Sequence, residues 1–267
     1  MDISIFDVIG PVMVGPSSSH TAGAVRLGRI AGQIAGRDNA HVAGRDAARD
    51  ASHTATQIVG PASGLLAERA FRQGAEHNAP EPYTHVLFRL HGSFAKTCKG
   101  HGTDRALLAG VMGLREDDED ITHAFELAAG RNLAYAFEEV TLEDAHENSA
   151  EIVFSLASGG ECRVEGASVG GGQVLIRRVN GFDFTFSAQC PTLLITQYDR
   201  KGIVSQITGV IAENDINIGT IRLSRKAKGD VACCVIETDG CIPQAAVEKI
   251  TGLPNVISAR LIQMDPL

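Results

Sequence analysis

The chain has 267 residues, 44% of them hydrophobic, and a formal charge of −8. That length and apolar content suffice for one large domain or two modest ones; the acidic balance and 5% aromatic content leave neither the basic footprint nor the stacking platform of a nucleic-acid binder. No apolar run reaches the length of a membrane span, and the start, MDISIFDVIG, lacks the basic end and apolar core of a signal peptide, so neither a membrane nor a nucleic acid is an expected partner and the cytoplasm is the expected compartment.

The first motif is GPSSSHTAG, Gly15 to Gly23. A helix is predicted directly after it, because Ala24, Leu27, Ala31, Ile34 and Ala35 recur at three- and four-residue steps while Arg26, Arg29, Gln33 and Arg37 fall opposite, an amphipathic pattern. A helix start leaves backbone N–H groups without partners, and a serine or threonine hydroxyl commonly satisfies them. One hydroxyl suffices for a cap. The surplus of Ser17, Ser18, Ser19, His20 and Thr21 also suits a place where amides and hydroxyls converge on a carboxylate or phosphate with an imidazole beside it. Taken alone, the motif is open to both readings.

The stretch Gly36 to Tyr83 is rich in Ala, Arg, Asp and His and is broken by Pro61, Pro80 and Pro82. It carries no motif, and His41, His53 and His77 read as solvated. HVLFRL, His85 to Leu90, reads as a buried strand. In KGHGTD, Lys99 to Asp104, Gly100 and Gly102 let backbone approach a ligand, Thr103 is placed to cap a helix over Asp104 to Leu114, and His101 with Asp104 offers an acid/base or orienting pair. A further helix is predicted from Thr122 to Phe137, with Phe125, Ala129, Leu133 and Ala136 as its apolar face. HENSAEI sets His146 and Asn148 just ahead of the strand AEIVFSL. In SVGGGQ, Ser168 to Gln173, Gly170 and Gly171 belong to a glycine run of the kind used in tight turns or anion nests. QVLIRRV and FDFTFS flank Asn180-Gly181, a two-residue hairpin signal because both positions need positive φ.

Pro191 opens a second unit. TLLITQY, KGIVSQITGVIAEN, INIGTIRLSR, DVACCVIET, PQAAVEKITG and VISARLIQ read as strand, helix, strand, strand, helix and strand. That is a βαββαβ, ferredoxin-like plan, with helices on one face of an antiparallel sheet. Its other face and its edge call for cover, commonly from a second copy. At DRKGI, the turn glycine and the amides of the helix start suit a carboxylate, which marks Asp199, Gly202 and Ile203 as an effector site for a small amino acid. The six cysteines have no C-x-x-C spacing and read as reduced structural thiols. Adjacent Cys233 and Cys234 would point to opposite faces of a strand and could not share a metal, and no metal site is expected in this chain.

Taken in order, FDVIGPVMVGPSSSHTAGAVRLGRIA, GSFAKTCKGHGTD, NGF and the carboxy-terminal unit resemble the beta chain, or beta domain, of the bacterial iron–sulfur-dependent L-serine dehydratases, which ends in an ACT domain. The resemblance covers roughly residues 3 to 35 and 84 to 264. It implies an α+β fold. A serine dehydratase beta domain over residues 1–187 would resemble the allosteric substrate-binding domain of phosphoglycerate dehydrogenases, and an ACT domain would occupy residues 191–264. It also implies deamination of L-serine to pyruvate and ammonia without pyridoxal phosphate. Water loss gives aminoacrylate, which tautomerises and hydrolyses; the [4Fe–4S] cluster would be ligated by a partner alpha chain. On this resemblance His20 is the acid/base or orienting residue. Ser17, Ser18, Ser19, Thr21, His101, Gly102, Thr103, Asp104, His146, Asn148, Gly170 and Gly171 are the substrate-binding set, and the ACT domain self-associates. The sequence departs from the family in a longer Gly36 to Tyr83 segment, in HENS where His-Pro-Asn-Thr is usual, and in lacking a cluster-binding cysteine set. The last departure suits the two-chain form of the family. The competing reading is a non-catalytic module that senses an amino acid or anion.

Overall fold

The computed structural model describes residues 17–36 and 82–264, so the readings made on residues 37–81, including His41, His53 and His77, lie outside the described residues. The elements in chain order are α1 (Ala22–Ile34), β1 (Tyr83–Leu90), α2 (Gly92–Lys96), α3 (Thr103–Val111), a 3-10 turn (Glu119–His123), α4 (Ala124–Gly130), β2 (Ala134–Glu139), β3 (Ser149–Leu156), β4 (Glu161–Gly170), β5 (Gln173–Val179) and β6 (Phe182–Phe186). The second unit follows with β7 (Thr192–Tyr198), α5 (Ile203–Glu213), β8 (Ile218–Arg225), β9 (Val231–Thr238), α6 (Gln244–Thr251) and β10 (Val256–Ile262). The first unit is built on a six-stranded sheet in the order β2-β1-β3-β4-β5-β6. The β1–β2 pair is parallel and the remaining pairs are antiparallel. The second sheet has the order β10-β7-β9-β8, the ferredoxin-like arrangement that the sequence pattern predicts, and the fold is α+β as expected.

The Asn180-Gly181 hairpin forms as expected, with φ of 51° and 76°. The helix expected over Thr122 to Phe137 does not. It stops at Gly130, Asn132 takes a φ of 53°, and the chain re-emerges as β2 beside β1, with His85 opposite Ala134 and Leu90 opposite Glu139. Phe137 stacks on Phe88, and Tyr135 on Phe125. Strand β4 has no counterpart among the predicted elements; it runs through Gly166, where a side chain would strike Leu27 and Ile176.

Helix α1 departs from the amphipathic expectation because all of its residues are buried. Arg26 and Arg29 both reach the buried carboxylate of Glu116, at 3.3 and 3.4 Å, so the polar face is covered by ion pairing. Gln33 meets the second unit through its side chain: its Nε2 donates to Gln263 O at 3.2 Å and toward Met264 Sδ at 3.6 Å, and Gln263 N donates to its Oε1 at 2.9 Å. The face of the second sheet away from its helices is not left for a second copy to cover. Leu194, Cys233, Val235 and Ile262 join the core of the first unit, while Leu193, Ile195, Cys234 and Ile236 pack under α5 and α6. Cys233 and Cys234 thus point to opposite faces, as the strand period requires. The outer edge strand β8 exposes Ile221 and Leu223.

Candidate functional site

Helices α1 and α3 touch backbone to backbone. A Cβ on Gly28 would lie 2.9 Å from Val111 N, and one on Gly110 would lie 2.9 Å from Val25 C and 3.0 Å from Arg29 N. Only glycine permits that approach. A third glycine, Gly23, seats the start of α1 on β4, where a Cβ would come within 2.8 Å of Ser168 Cβ. These contacts bring together the two motif-bearing ends, since His20 lies just before α1 and His101 just before α3, with ring centroids 4.8 Å apart in an edge-to-face pair. The positive ends of two helix dipoles therefore face one locality, a favourable setting for an anion.

At that locality Ser17 Oγ is 3.1 Å from His20 Nδ1 and Ser93 Oγ is 3.0 Å from His20 Nε2. The edge of Phe94 closes the ring in, at 5.5 Å between centroids. Both imidazole nitrogens are engaged by hydroxyls. The His20 midpoint is held below 6.5, first because burial penalises the imidazolium and second because His101 repels it; a backbone contact with Ser93 opposes the shift. Thr21 occupies the N-cap position of α1 without a side-chain capping bond, so its hydroxyl is not spent on capping. Among the described residues, several buried polar atoms in or next to the motif segments have no hydrogen-bond partner: Thr21 Oγ1, His101 Nδ1, Thr103 Oγ1, Ser149 Oγ and Ser168 Oγ. Buried polar groups are rarely left so, and a cluster of them suits a polar ligand.

The expected cap at Thr103 is corrected. Gly102 is the N-cap of α3, with φ 69°, and Thr103 is the first helical residue. The His101–Asp104 pair is not formed either; Asp104 Oδ1 accepts from Arg105 N at 2.8 Å. Ser18 and Ser19 are half-buried in the turn before α1, where Ser18 O accepts from Gly23 N. Asn148 is tied in through its carbonyl, which accepts from Ser168 N, whereas His146 is exposed and its Nδ1 accepts from Asn148 N at 3.1 Å. Gly170 and Gly171 turn the chain from β4 into β5, two residues past Ser168, at φ of 103° and 58°. Ser93, which is not among the site residues expected from the sequence, sits on α2 and is brought to His20 by the β1–α2 connection; Ser93 N donates to Glu147 O.

In the second unit, Gly202 caps α5 at φ 86°. Asp199 is committed within the protein: its Oδ2 accepts from Gly229 N at 3.0 Å and from Arg225 Nη1 at 2.8 Å, and these two bonds, the Gly229 amide first, hold its carboxyl below the usual range. Ile203 is buried against α5's own core.

An iron–sulfur cluster needs thiolates, and the cysteines of this chain do not fit one. Burial is the main cause that pushes Cys98, Cys162 and Cys234 up to about 11 and Cys233 up to about 12. Cys233 and Cys234 lie in different cores. Among the described residues, no group of three His, Cys, Asp or Glu is placed to hold a metal. Nor is any helix among them long and apolar enough to cross a membrane.

Fold and site define a two-unit α+β protein in which a ferredoxin-like unit is joined to a sheet-and-helix unit bearing a serine-histidine cluster. Residues 51–132 match the family described as serine dehydratase beta chain. The chain is 31% identical over 264 residues to the L-serine dehydratase beta chain of Peptoniphilus asaccharolyticus, spanning 98% of this chain and 99% of that one. It is 32% identical to the probable L-serine dehydratase beta chain of Bacillus subtilis, over 97% of each. The chain belongs to the L-serine dehydratase beta chain family. It also aligns at 24% identity with the D-3-phosphoglycerate dehydrogenase of Bacillus subtilis, over 69% of this chain and 35% of that one. The solved ACT domain of a GTP pyrophosphokinase from Chlorobium tepidum aligns at 27% identity over 27% of this chain and 94% of that one, with a TM-score of 0.23.

Proposed function

We propose that this chain is the beta subunit of an L-serine ammonia-lyase and supplies half of a composite site for converting L-serine to pyruvate and ammonia. The observation that carries the reading is the meeting of His20 and His101 with Ser17 and Ser93 at the converging starts of α1 and α3. In this reading the helix starts and the hydroxyls of Ser17, Ser18, Ser19 and Thr21 hold the substrate carboxylate, and His20 is the imidazole that takes up and returns the proton of the reaction. In the same reading Gly102, Thr103 and Asn148 complete the substrate-binding set. A [4Fe–4S] cluster belongs to the alpha chain in this reading: burial holds the thiols of Cys98, Cys162, Cys233 and Cys234 protonated, Cys190 and Cys241 are exposed, and no three potential ligands of the described residues come together. No pyridoxal phosphate is required. The compartment is the cytoplasm.

The test is reconstitution. The purified chain alone should give no pyruvate from L-serine, and anaerobic mixing with a cluster-loaded alpha chain should restore pyruvate formation. Pyruvate from this chain alone after rigorous metal removal would refute the composite site. The likeness to a phosphoglycerate dehydrogenase favours the second reading, a module that senses an amino acid or anion without chemistry. That reading requires that no alpha chain restore turnover.

The ACT-type unit is proposed to self-associate and to bind a small amino acid at the start of α5. The unpaired edge of β8, with Ile221 and Leu223 exposed, is the surface best suited to a second copy. Because Asp199 is engaged by Arg225 and Gly229, its part is to shape the loop around Gly202 and Ile203. Calorimetric titration of the full chain with L-serine should release heat, and the Asp199→Asn variant should bind more weakly. Sedimentation should give at least a dimer. Absence of heat with every small amino acid would leave the unit an assembly element.

A further inference from the structure

From the position of Ser93 we infer that His20 exchanges protons with the bound substrate through the Ser93 hydroxyl, with Ser17 as the group that orients the ring; this rests on the ammonia-lyase reading of the site. The two nitrogens of a neutral imidazole differ, one carrying a hydrogen and the other a lone pair, and the hydrogen-bond partners decide which is which. Ser17 Oγ accepts from the backbone N–H of His20 at 3.4 Å and has a second lone pair for the ring. The relay assigns the ring hydrogen to Nδ1, donating to that oxygen across 3.1 Å. That leaves the lone pair on Nε2, toward which Ser93 Oγ–H donates across 3.0 Å.

This geometry has a consequence for proton flow. Neither ring nitrogen is open to a ligand, because each is already within hydrogen-bond distance of a serine hydroxyl. The Ser93 oxygen keeps a lone pair for an outside proton. When a substrate proton passes to Ser93 Oγ, the hydrogen already there passes to Nε2. The substrate's α C–H bond breaks and leaves its electron pair on the substrate, a new O–H forms as the old one breaks, an Nε2–H forms, and the positive charge ends on an imidazolium whose Nδ1–H remains on Ser17. The reverse transfer returns the proton to a leaving group. The roles of the hydroxyl, the imidazole and a third orienting group follow the logic of relays known from other enzymes. Ser93 is half-buried on a short helix whose Ser93 and Phe94 amides both donate to Glu147 O, so its place does not depend on its own side chain.

The test combines a spectroscopic and a kinetic measurement. In the full-length chain alone, ¹⁵N spectra at neutral pH should show His20 with a protonated Nδ1 and a hydrogen-bonded, unprotonated Nε2. Ser93→Ala should move the Nε2 resonance and mix the tautomers, and Ser93→Thr, which keeps the hydroxyl, should restore the pattern. In the enzyme assembled with its alpha chain, Ser93→Ala should lower kcat about a hundredfold with little change in KM, and Ser93→Thr should recover most of it. A proton on Nε2 in the wild-type chain, or spectra unaltered in folded Ser93→Ala, would overturn the relay. So would a loss that appears in KM alone. If the wild-type assembly makes no pyruvate, the ammonia-lyase reading falls, while the tautomer measured in the chain alone still decides where the proton sits.

Discussion

Replacing His20 with alanine should lower turnover of the assembled enzyme about a hundredfold or more, the ordinary loss when a positioned proton-transfer group is removed. The same change leaves Ser17 and Ser93 without their common partner, so the Ser93→Ala and His20→Ala losses should not add. Ser18→Ala and Ser19→Ala should chiefly raise KM, if those hydroxyls bind the ground state and the transition state alike. The pH dependence has a definite direction. His20 must be neutral to accept a proton, and burial, reinforced by His101, holds its midpoint below 6.5. The acid limb of kcat/KM for the wild-type assembly should therefore fall below 6.5. His101→Gln removes the repulsion but not the burial, so His20 should then titrate higher while remaining under 6.5. The unfolded chain takes up a proton at His20 first as pH falls through 6.5, so stability from this residue is lost in that direction. In His20→Ala the slope of stability against pH should flatten below 6.5. Near-normal kinetics in a folded His20→Ala variant would reduce the imidazole to a packing element.

How much of the fold and site is legible in the sequence depends on whether the deciding contacts are local. The second unit is legible element by element because each strand has its own apolar alternation and each helix its own period, and the turns between them are short. Asn180-Gly181 is equally local, since the two residues carry the positive φ that the hairpin needs. The helix expected through Phe137 fails because Leu133 and Ala136 fit a helical period, whereas the outcome is set by a parallel partner far away in the chain, β1. The polar stripe of α1 misleads in the same way: nothing near Arg26 and Arg29 announces Glu116, which covers them. The site shows the same limit. The SSSHT and KGHGTD motifs stand out, but Ser93 is 73 residues from His20 and has no spacing relation to it. A serine after a glycine at the end of a buried strand is the available signal, and only the folded sheet gives it meaning.

The glycines of α1 and α3 explain why the two motifs end up as one site, and Gly110→Ala is the sharpest test of that account. A methyl group there would press on the Val25 carbonyl and lie 3.0 Å from Arg29 N, both on the neighbouring helix backbone. Backbone cannot rotate away as a side chain can, so the helices must separate. The cost should be about 3 kcal/mol or more, and the melting temperature should drop by roughly 10 °C for a chain of this size. Gly209→Ala is the matched control. That glycine is exposed within α5, with nothing within 4 Å of an added methyl and no unusual φ, so the change should stabilise the protein by about 0.5–1 kcal/mol. The functional consequence separates packing from simple loss of stability. Moving α3 away from α1 carries His101 away from His20, whose rings are now 4.8 Å apart. In Gly110→Ala, measured well below its melting temperature, the His20 midpoint should rise as the repulsion from His101 weakens, and turnover should fall further than the folded fraction explains. If the midpoint and the specific activity of the folded fraction both match wild type, the seam stabilises the domain without setting the geometry of the site.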